Sequence, residues 1–448
     1  MNALVRPVPA RSTAQSNLHV VIIGGGIGGL TLAQGLKKSG VSVAVYERDR
    51  TRTDRVQGYR VHITPAGSRA LHACLPARLF DAFARTCGKP TRAIHFLTEN
   101  GVELLSVGMS QANAMPTGAV EQHRSVSRIT LRQVLLSGLD DIVHFGKTFT
   151  HYDERSDGRI VAHFEDGTTA EGDILVAADG GGSRIRRQLL PNAERIDTGV
   201  AGIAGKVFLD GPARDKIAPI LLDGLALVSA KGGLGLFMAL QEPGKPALDG
   251  IGDNDESASS GSHFDNTRSY LMWALSARRE AFGVDRQLEA LDGASLQAIV
   301  LRTMAGWSDA FKALVHLTDI NTISAIPIRT SVPIAPWTTS RITLLGDAIH
   351  SMTPFRGIGA NVALRDAVRL RDALVAAHDG ERDVIKAIQA YEAEMIRYGF
   401  AAVETSRRAM EQTLTRSAVK RAMSRAVFRV VNKVPPLKRW MFRRQGDE

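Results

Sequence analysis

Hydrophobic and polar positions along this chain alternate in two different rhythms. His19 to Ile23 is a short β-branched apolar run, long enough for a buried strand. A glycine cluster follows, and then Leu30, Leu32, Ala33 and Leu36 recur at helical spacing as far as Lys38. Gly40 stands where a left-handed cap would stop that helix. A second β-branched run, Val41 to Tyr46, closes a strand–turn–helix–strand unit of about 30 residues. Ile174 to Ala178 and Ile342 to Leu345 are two more buried-strand patterns, each running into a glycine and an aspartate. Beyond the second, Val362, Leu364, Ala367, Leu370 and Leu374 form the apolar side of a long helix, with Arg365, Arg369 and Arg371 on its other side.

Between these units the rhythm is that of antiparallel strands. Ala93 to Val107 reads as a hairpin turning at Asn100-Gly101, and Val143 to Asp173 as another excursion with turns at Asp157-Gly158 and Asp166-Gly167. Strands are expected near Gly202–Leu209, Leu225–Ser229, Leu234–Leu240 and Arg268–Ala277. Gly244 to Asn266, rich in Gly, Ser, Asp and Asn, reads as a mobile surface loop, with a lid over a pocket as the alternative. The expected fold class is α/β. A discontinuous Rossmann-type nucleotide-binding domain would comprise 17–90, 117–196 and 321–400, and a mainly antiparallel substrate domain 91–116 and 197–320. A basic helical extension would fill 401–448.

The turns carry the candidate chemistry. Gly24 allows the tight turn after the first strand, Gly26 lets the backbone approach a pyrophosphate, and Gly29 lets the helix pack closely on the strand. The helix start at Ile27 and Gly28 offers free N–H groups to phosphates. Glu47, ending the second strand, is placed to accept the hydroxyls of an adenosine ribose. This loop alone leaves NAD and FAD both open. Asp179-Gly180 and the basic segment through Arg186 form a second element. Gly346-Asp347 forms the third, with Asp347 suited to a polyol hydroxyl and the helix from Gly359 aiming its N–H groups at whatever lies above it.

Three such turns in this order resemble the FAD-dependent monooxygenases of the aromatic hydroxylase type, the group of p-hydroxybenzoate hydroxylase and the tetracycline-inactivating monooxygenases. The resemblance covers residues 19 to about 400. It implies FAD contacts from Gly24, Gly26, Ile27, Gly28, Gly29, Glu47, Arg48, Asp179, Gly180, Arg186, Gly346, Asp347, Pro354, Gly357, Ile358, Gly359, Ala360 and Asn361. Arg128 opens an Arg-x-x-Leu helix like the family's and is carried over as a cofactor contact, with Arg132 as a bystander one turn on. Arg55 to Ile63 is similar to the strand that passes the isoalloxazine, which makes Arg60 and His62 catalytic candidates; a solvated arginine and a core histidine are the alternatives. Phe355-Arg356-Gly357 departs from the two adjacent glycines of many members, and Arg356 either touches the flavin edge or faces solvent.

The implied activity is that NADPH or NADH reduces FAD, O2 adds to give a flavin C4a-hydroperoxide, and an aromatic or polyketide-like molecule is hydroxylated. A dehydrogenase or reductase, or a Baeyer–Villiger or epoxidase outcome, remains open. Met238, Met272 and Trp273 are either substrate contacts or core, and His350 is either structural or a proton donor. No Trp-x-Trp-x-Ile-Pro stretch occurs, which disfavours a halogenase.

Composition narrows the classes further. The 448 residues are 44% hydrophobic, ample for a sizeable core, and their two cysteines, Cys74 and Cys87, suggest neither a disulfide framework nor a metal site. Residues 1–16 lack a signal-peptide apolar core, and no apolar run is long enough to span a membrane, so a cytoplasmic setting is expected. The net charge of +10 is uneven: 401–448 holds 12 Lys or Arg against 4 Asp or Glu. There Arg421, Arg425 and Arg429 form one helical stripe, and Met423, Val427, Val430 and Val431 gather on another side. This helix either packs on the enzyme with its arginines in water or rests on an anionic membrane. Nucleic acid is not expected as a partner, since no recognition fold accompanies the charge.

Overall fold

The computed structural model describes residues 18–52, 60–108, 118–244, 268–284 and 287–442. Residues 1–16, Arg55 to Gly58, Arg443-Arg444 and nearly all of the 244–266 segment lie outside these ranges. In chain order the strands are β1 (His19–Ile23), β2 (Ser42–Tyr46), β3 (Arg60–Ile63), β4 (Ala93–Leu97), β5 (Glu103–Gly108), β6 (Arg124–Ser127), β7 (Val143–His144), β8 (Phe149–Glu154), β9 (Ile160–Phe164), β10 (Thr169–Gly172), β11 (Ile174–Ala177), β12 (Arg195–Phe208), β13 (Gly224–Ala230), β14 (Leu234–Gln241), β15 (Tyr270–Arg278), β16 (Ser324–Ser331) and β17 (Ile342–Leu344).

One sheet is parallel throughout, in the order β17-β11-β1-β2-β7. β11, β17 and β1 from Val20 onward are buried in a core to which helices contribute Leu30, Leu36 and Leu364 and the β8–β10 strands contribute Phe149, Ile160 and Phe164, which explains their largely apolar sequences. The order also explains how three turns spread over more than 300 residues of sequence become one site. Ile23 pairs with Ala177, and Ala177 pairs with Leu344. The glycine loop, the Asp-Gly turn and the Gly-Asp turn therefore leave the sheet side by side at its carboxyl edge, where ligands of open α/β sheets bind.

A second sheet has the order β16-β12-β15-β14-β13-β4-β5 and is antiparallel except between β13 and β4. It takes β16 from the 321–400 segment, because β16 pairs with β12 over eight residues. Strand alternation separates its faces. Val207, Met238, Leu271, Trp273 and Leu275 point into a core capped by helices Gly293–Thr303 and Asp309–His316. Phe208, Leu225, Phe237, Ala239, Tyr270 and Met272 cluster on the opposite face. The expected hairpin at Asn100-Gly101 is β4–β5, with Gly101 at φ +80°; of the 143–173 excursion, Phe149 to Gly172 is the three-stranded antiparallel β8–β9–β10 sheet, whereas Val143–His144 pairs in parallel with β2.

Helix Ile27–Lys38 packs against helix Gly359–His378, where Gly28 lies so close to Leu345 that a Cβ would come within 2.7 Å. Helix Val384–Thr413 runs unbroken through residue 401. Helix Ala418–Lys433 then docks Val431 and Phe428 against Phe96, Leu105 and Val107 of the β4–β5 hairpin. Pro435 opens the last helix, Pro435–Phe442.

Candidate active site

At the β1 turn, Gly24 has φ +113°, and a Cβ there would lie 2.3 Å from the Ala178 oxygen, so only glycine fits. Gly29 is equally restricted, 2.2 Å from the Gly24 oxygen. Gly26 is different: a Cβ there would meet nothing within 4 Å. It sits at the N-cap of helix Ile27–Lys38 with no capping side chain and no acid in the first turn, so the first N–H groups face open space. The buried Glu47 carboxylate accepts the Gly25 N–H at 2.6 Å and the Asp49 N–H at 3.0 Å.

Arg132 is tied to the first turn. Its Nε donates to the Gly25 oxygen at 3.1 Å, an amino group donates to the Arg52 oxygen at 3.0 Å, and it pairs with Asp49 at 3.3 Å. Arg128 and Arg48 are exposed and make no hydrogen bond or ion pair among the described residues. One helical turn separates Arg128 from Arg132.

At the second turn, Gly180 has φ +77° with open space where a Cβ would sit. Asp179 accepts the Arg184 N–H at 2.9 Å through one oxygen, while its other oxygen is buried without a partner. Burial raises its pKa against the pull of Ser183, Arg184 and Arg186. The Arg186 guanidinium joins the second turn to the third, donating to Gly181 O at 3.1 Å and Ala348 O at 2.7 Å. Arg195, which the sequence did not single out, lies against Gly181 and donates to Ser351 Oγ at 3.1 Å, with Asp347 acting on its charge.

At the third turn, Asp347 is exposed and makes no hydrogen bond or ion pair among the described residues. Gly346 behind it, at φ +61°, donates its N–H to Asp366 at 2.7 Å. Asp366 has no solvent exposure; it also accepts His350 Nε2 at 2.7 Å and Tyr398 OH at 2.6 Å. Burial alone would lower the His350 pKa, but Asp366, with Asp347 behind it, leaves it raised. His350 is thus a buried brace under the turn.

The 3-10 turn Pro354–Arg356 leads through Gly357, at φ +64°, to Ile358 and the helix start at Gly359 and Ala360. That N-terminus has neither a capping side chain nor an acid in its first turn, so its N–H groups are available. The Asn361 side chain turns away from it. Its oxygen accepts the Thr64 N–H at 2.8 Å and its amide donates to the His62 oxygen at 2.9 Å.

Through that link β3 connects the third turn to the apolar face of the second sheet. Arg60 donates to Thr91 Oγ1 at 2.8 Å, and its Nε is buried without a partner. Burial pulls its pKa down to about 10, with Tyr270 opposing, so it remains a cation at neutral pH. No carboxylate pairs with it among the described residues. His62 contacts His123 at 3.1 Å with the rings stacked, and burial, then Arg60 and His123, take its pKa to about 3. It is neutral at physiological pH. Lys206 sits 4.9 Å over the Tyr270 ring, its pKa lowered by burial. Of the residues offered as substrate contacts, Met272 belongs to the Phe208–Phe237–Tyr270 cluster, whereas Met238 and Trp273 are in the opposite core. The exposed His151, Asp153 and half-buried His163 bring potential metal-ligand atoms within 4.8 Å of one another, on the β8–β9 hairpin.

The parts fit a dinucleotide with a polyol linker: an open glycine cradle, two uncapped helix starts, an unengaged exposed carboxylate and an unpartnered buried carboxylate oxygen. A parallel sheet with these turns, abutting an antiparallel sheet, defines an FAD-binding flavoprotein. The FAD binding domain family matches residues 17–218 and 290–406. The dual O-methyltransferase/FAD-dependent monooxygenase elcB of Phaeosphaeria nodorum is 33% identical over 86% of this chain and 42% of its own length. The FAD-dependent monooxygenase thnD of Trichoderma harzianum is 29% identical over 87% and 92%. A crystal structure of a protein assigned as an FAD-containing monooxygenase from Photorhabdus luminescens superposes with a TM-score of 0.78 at 32% identity, covering 90% of this chain and all of that one. The chain belongs to this FAD binding domain family, and FAD is its cofactor. It spans less than half the length of elcB and of the Cercospora CTB3 proteins.

Proposed function

We propose that this chain uses NADPH or NADH and O2 to hydroxylate an aromatic or polyketide-like small molecule. When bound, FAD supplies electron transfer from the nicotinamide and activation of oxygen. The protein's part is to bind, orient and exclude water. Gly24, Gly26 and the start of helix Ile27–Lys38 would cradle the pyrophosphate, Glu47 the adenosine ribose and Asp347 the polyol. The N–H groups at Gly359 and Ala360 would face the developing negative charge of the ring. Asp179 would accept a hydroxyl or amide through its spare oxygen. Arg132, Arg186 and the Asp366 brace would hold the turns in register. We assign the parallel sheet and its helices to the cofactor domain and the seven-stranded sheet to the substrate domain.

The observation that carries the substrate class is the uncountered Arg60 guanidinium beside the apolar Phe208–Phe237–Tyr270–Met272 face. A buried cation without an anion is costly. A phenolate or other acidic aromatic would supply the missing charge while its ring lies on the apolar face. His62, neutral and stacked on His123, would pass a hydrogen bond along the pair without holding charge. The two unpaired thiols, Cys74 and Cys87, and the lack of a helix long and apolar enough to cross a membrane among the described residues support a cytoplasmic setting.

A dehydrogenase would share all three turns. The two are separated by reducing the enzyme with NADPH without oxygen, then admitting oxygen with a panel of acidic phenols. Oxygenated product formed in step with NADPH consumption is expected. Reoxidation to hydrogen peroxide alone, for every phenol, would overturn the proposal.

A further inference from the structure

Helix Ala418–Lys433 presents two unlike faces. One docks on the body through Val431 and Phe428, and Arg425 pairs with Glu99 and donates to the Ser229 oxygen at 3.0 Å. The other carries Val419, Met423, Val427, Val430 and, just past its end, Val434, each between 40% and 77% exposed. Their spacing of four, four, three and four residues keeps them on one side of the helix. Five large apolar side chains in a row are too many for a surface that only meets water.

The charge around the stripe decides what fits it. From Gln412 to Gly446 the chain has ten Lys or Arg and no acid. Lys420, Arg429 and Lys433 lie exposed beside the stripe. A second copy of the helix would bring these cations against their own kind. A neutral apolar partner would leave them without function. We propose that this face docks the protein on an anionic membrane surface, its valines and Met423 entering the headgroup boundary while the lysines and Arg429 meet lipid phosphates and carboxylates. The helix is already anchored to the body by its inner face, so docking requires no unfolding. This inference stands independently of the substrate proposed above.

The test uses the FAD-loaded full chain sedimented with phosphatidylserine–phosphatidylcholine vesicles or with pure phosphatidylcholine. At least about tenfold more protein should pellet with the anionic vesicles, falling steeply as salt is raised. M423D/V427D and K420E/K433E should each lose most of that binding while flavin absorbance and NAD(P)H oxidation stay at parental levels. Equal pelleting with both vesicle types, or none with either, overturns the proposal. So does loss on charge reversal alone, which would indicate a polyanion such as RNA, or a dimer in solution that M423D/V427D dissociates.

Discussion

Asp366 shows how much a single buried carboxylate holds here, accepting hydrogen bonds from Gly346, His350 and Tyr398 at once. Asp366→Ala leaves two buried donors and the half-buried Tyr398 hydroxyl unpaired, and a loss of roughly 3–5 kcal/mol in urea unfolding is expected. The His350 pKa is raised above its ordinary 6.5 in the fold. Its contribution is therefore complete below pH 6.5 and fades as pH rises through the higher folded value. The melting-temperature gap between the parent and His350→Gln should shrink from pH 6.5 to 9; a gap that widens would contradict this. Arg60 obeys the opposite logic. Arg60→Met removes an uncountered half-buried charge, so stability should hold or rise, while the KM for an acidic phenol increases at least about tenfold. A drop in stability with an unchanged KM would make Arg60 structural. Asp366 left a trace in the sequence, since it falls four residues from both Val362 and Leu370 on the apolar side of its helix. Its pairings left none, because His350, read as structural or a proton donor, and Tyr398 reach it only through the tertiary fold.

Helices and strands were the most legible level. The three inner parallel strands are mostly apolar runs, and Gly40 ends its helix at φ +77° as the sequence suggested. The glycines of the first loop then divide by function. Gly29→Ala should destabilise the protein by about 1–3 kcal/mol through overpacking against Gly24. Gly26→Ala should leave the melting temperature nearly unchanged and weaken FAD binding, since its Cβ would enter open space that the cofactor needs. Equal melting losses in both variants would refute that division. Helical spacing fixes which side Arg132 faces but not which loop lies opposite. Only the fold brings Gly25 to it, across 107 positions of sequence.

At the scale of the molecule, the two rhythms of the sequence anticipated two sheets, and the strand order supplied what they could not. Neighbouring places for β17, β11 and β1 are a topological fact, and the pairing of β16 with β12 draws a late segment into the second sheet. The central claim is that one FAD lies across the three turns so assembled. It is tested most directly by titrating FAD into the apoprotein and into Gly26→Val and Asp347→Ala, following flavin fluorescence. One FAD per chain should bind the parent, with each substitution weakening it by at least about tenfold, the worth of one charge-assisted hydrogen bond or more. Undiminished binding in both variants would contradict the account.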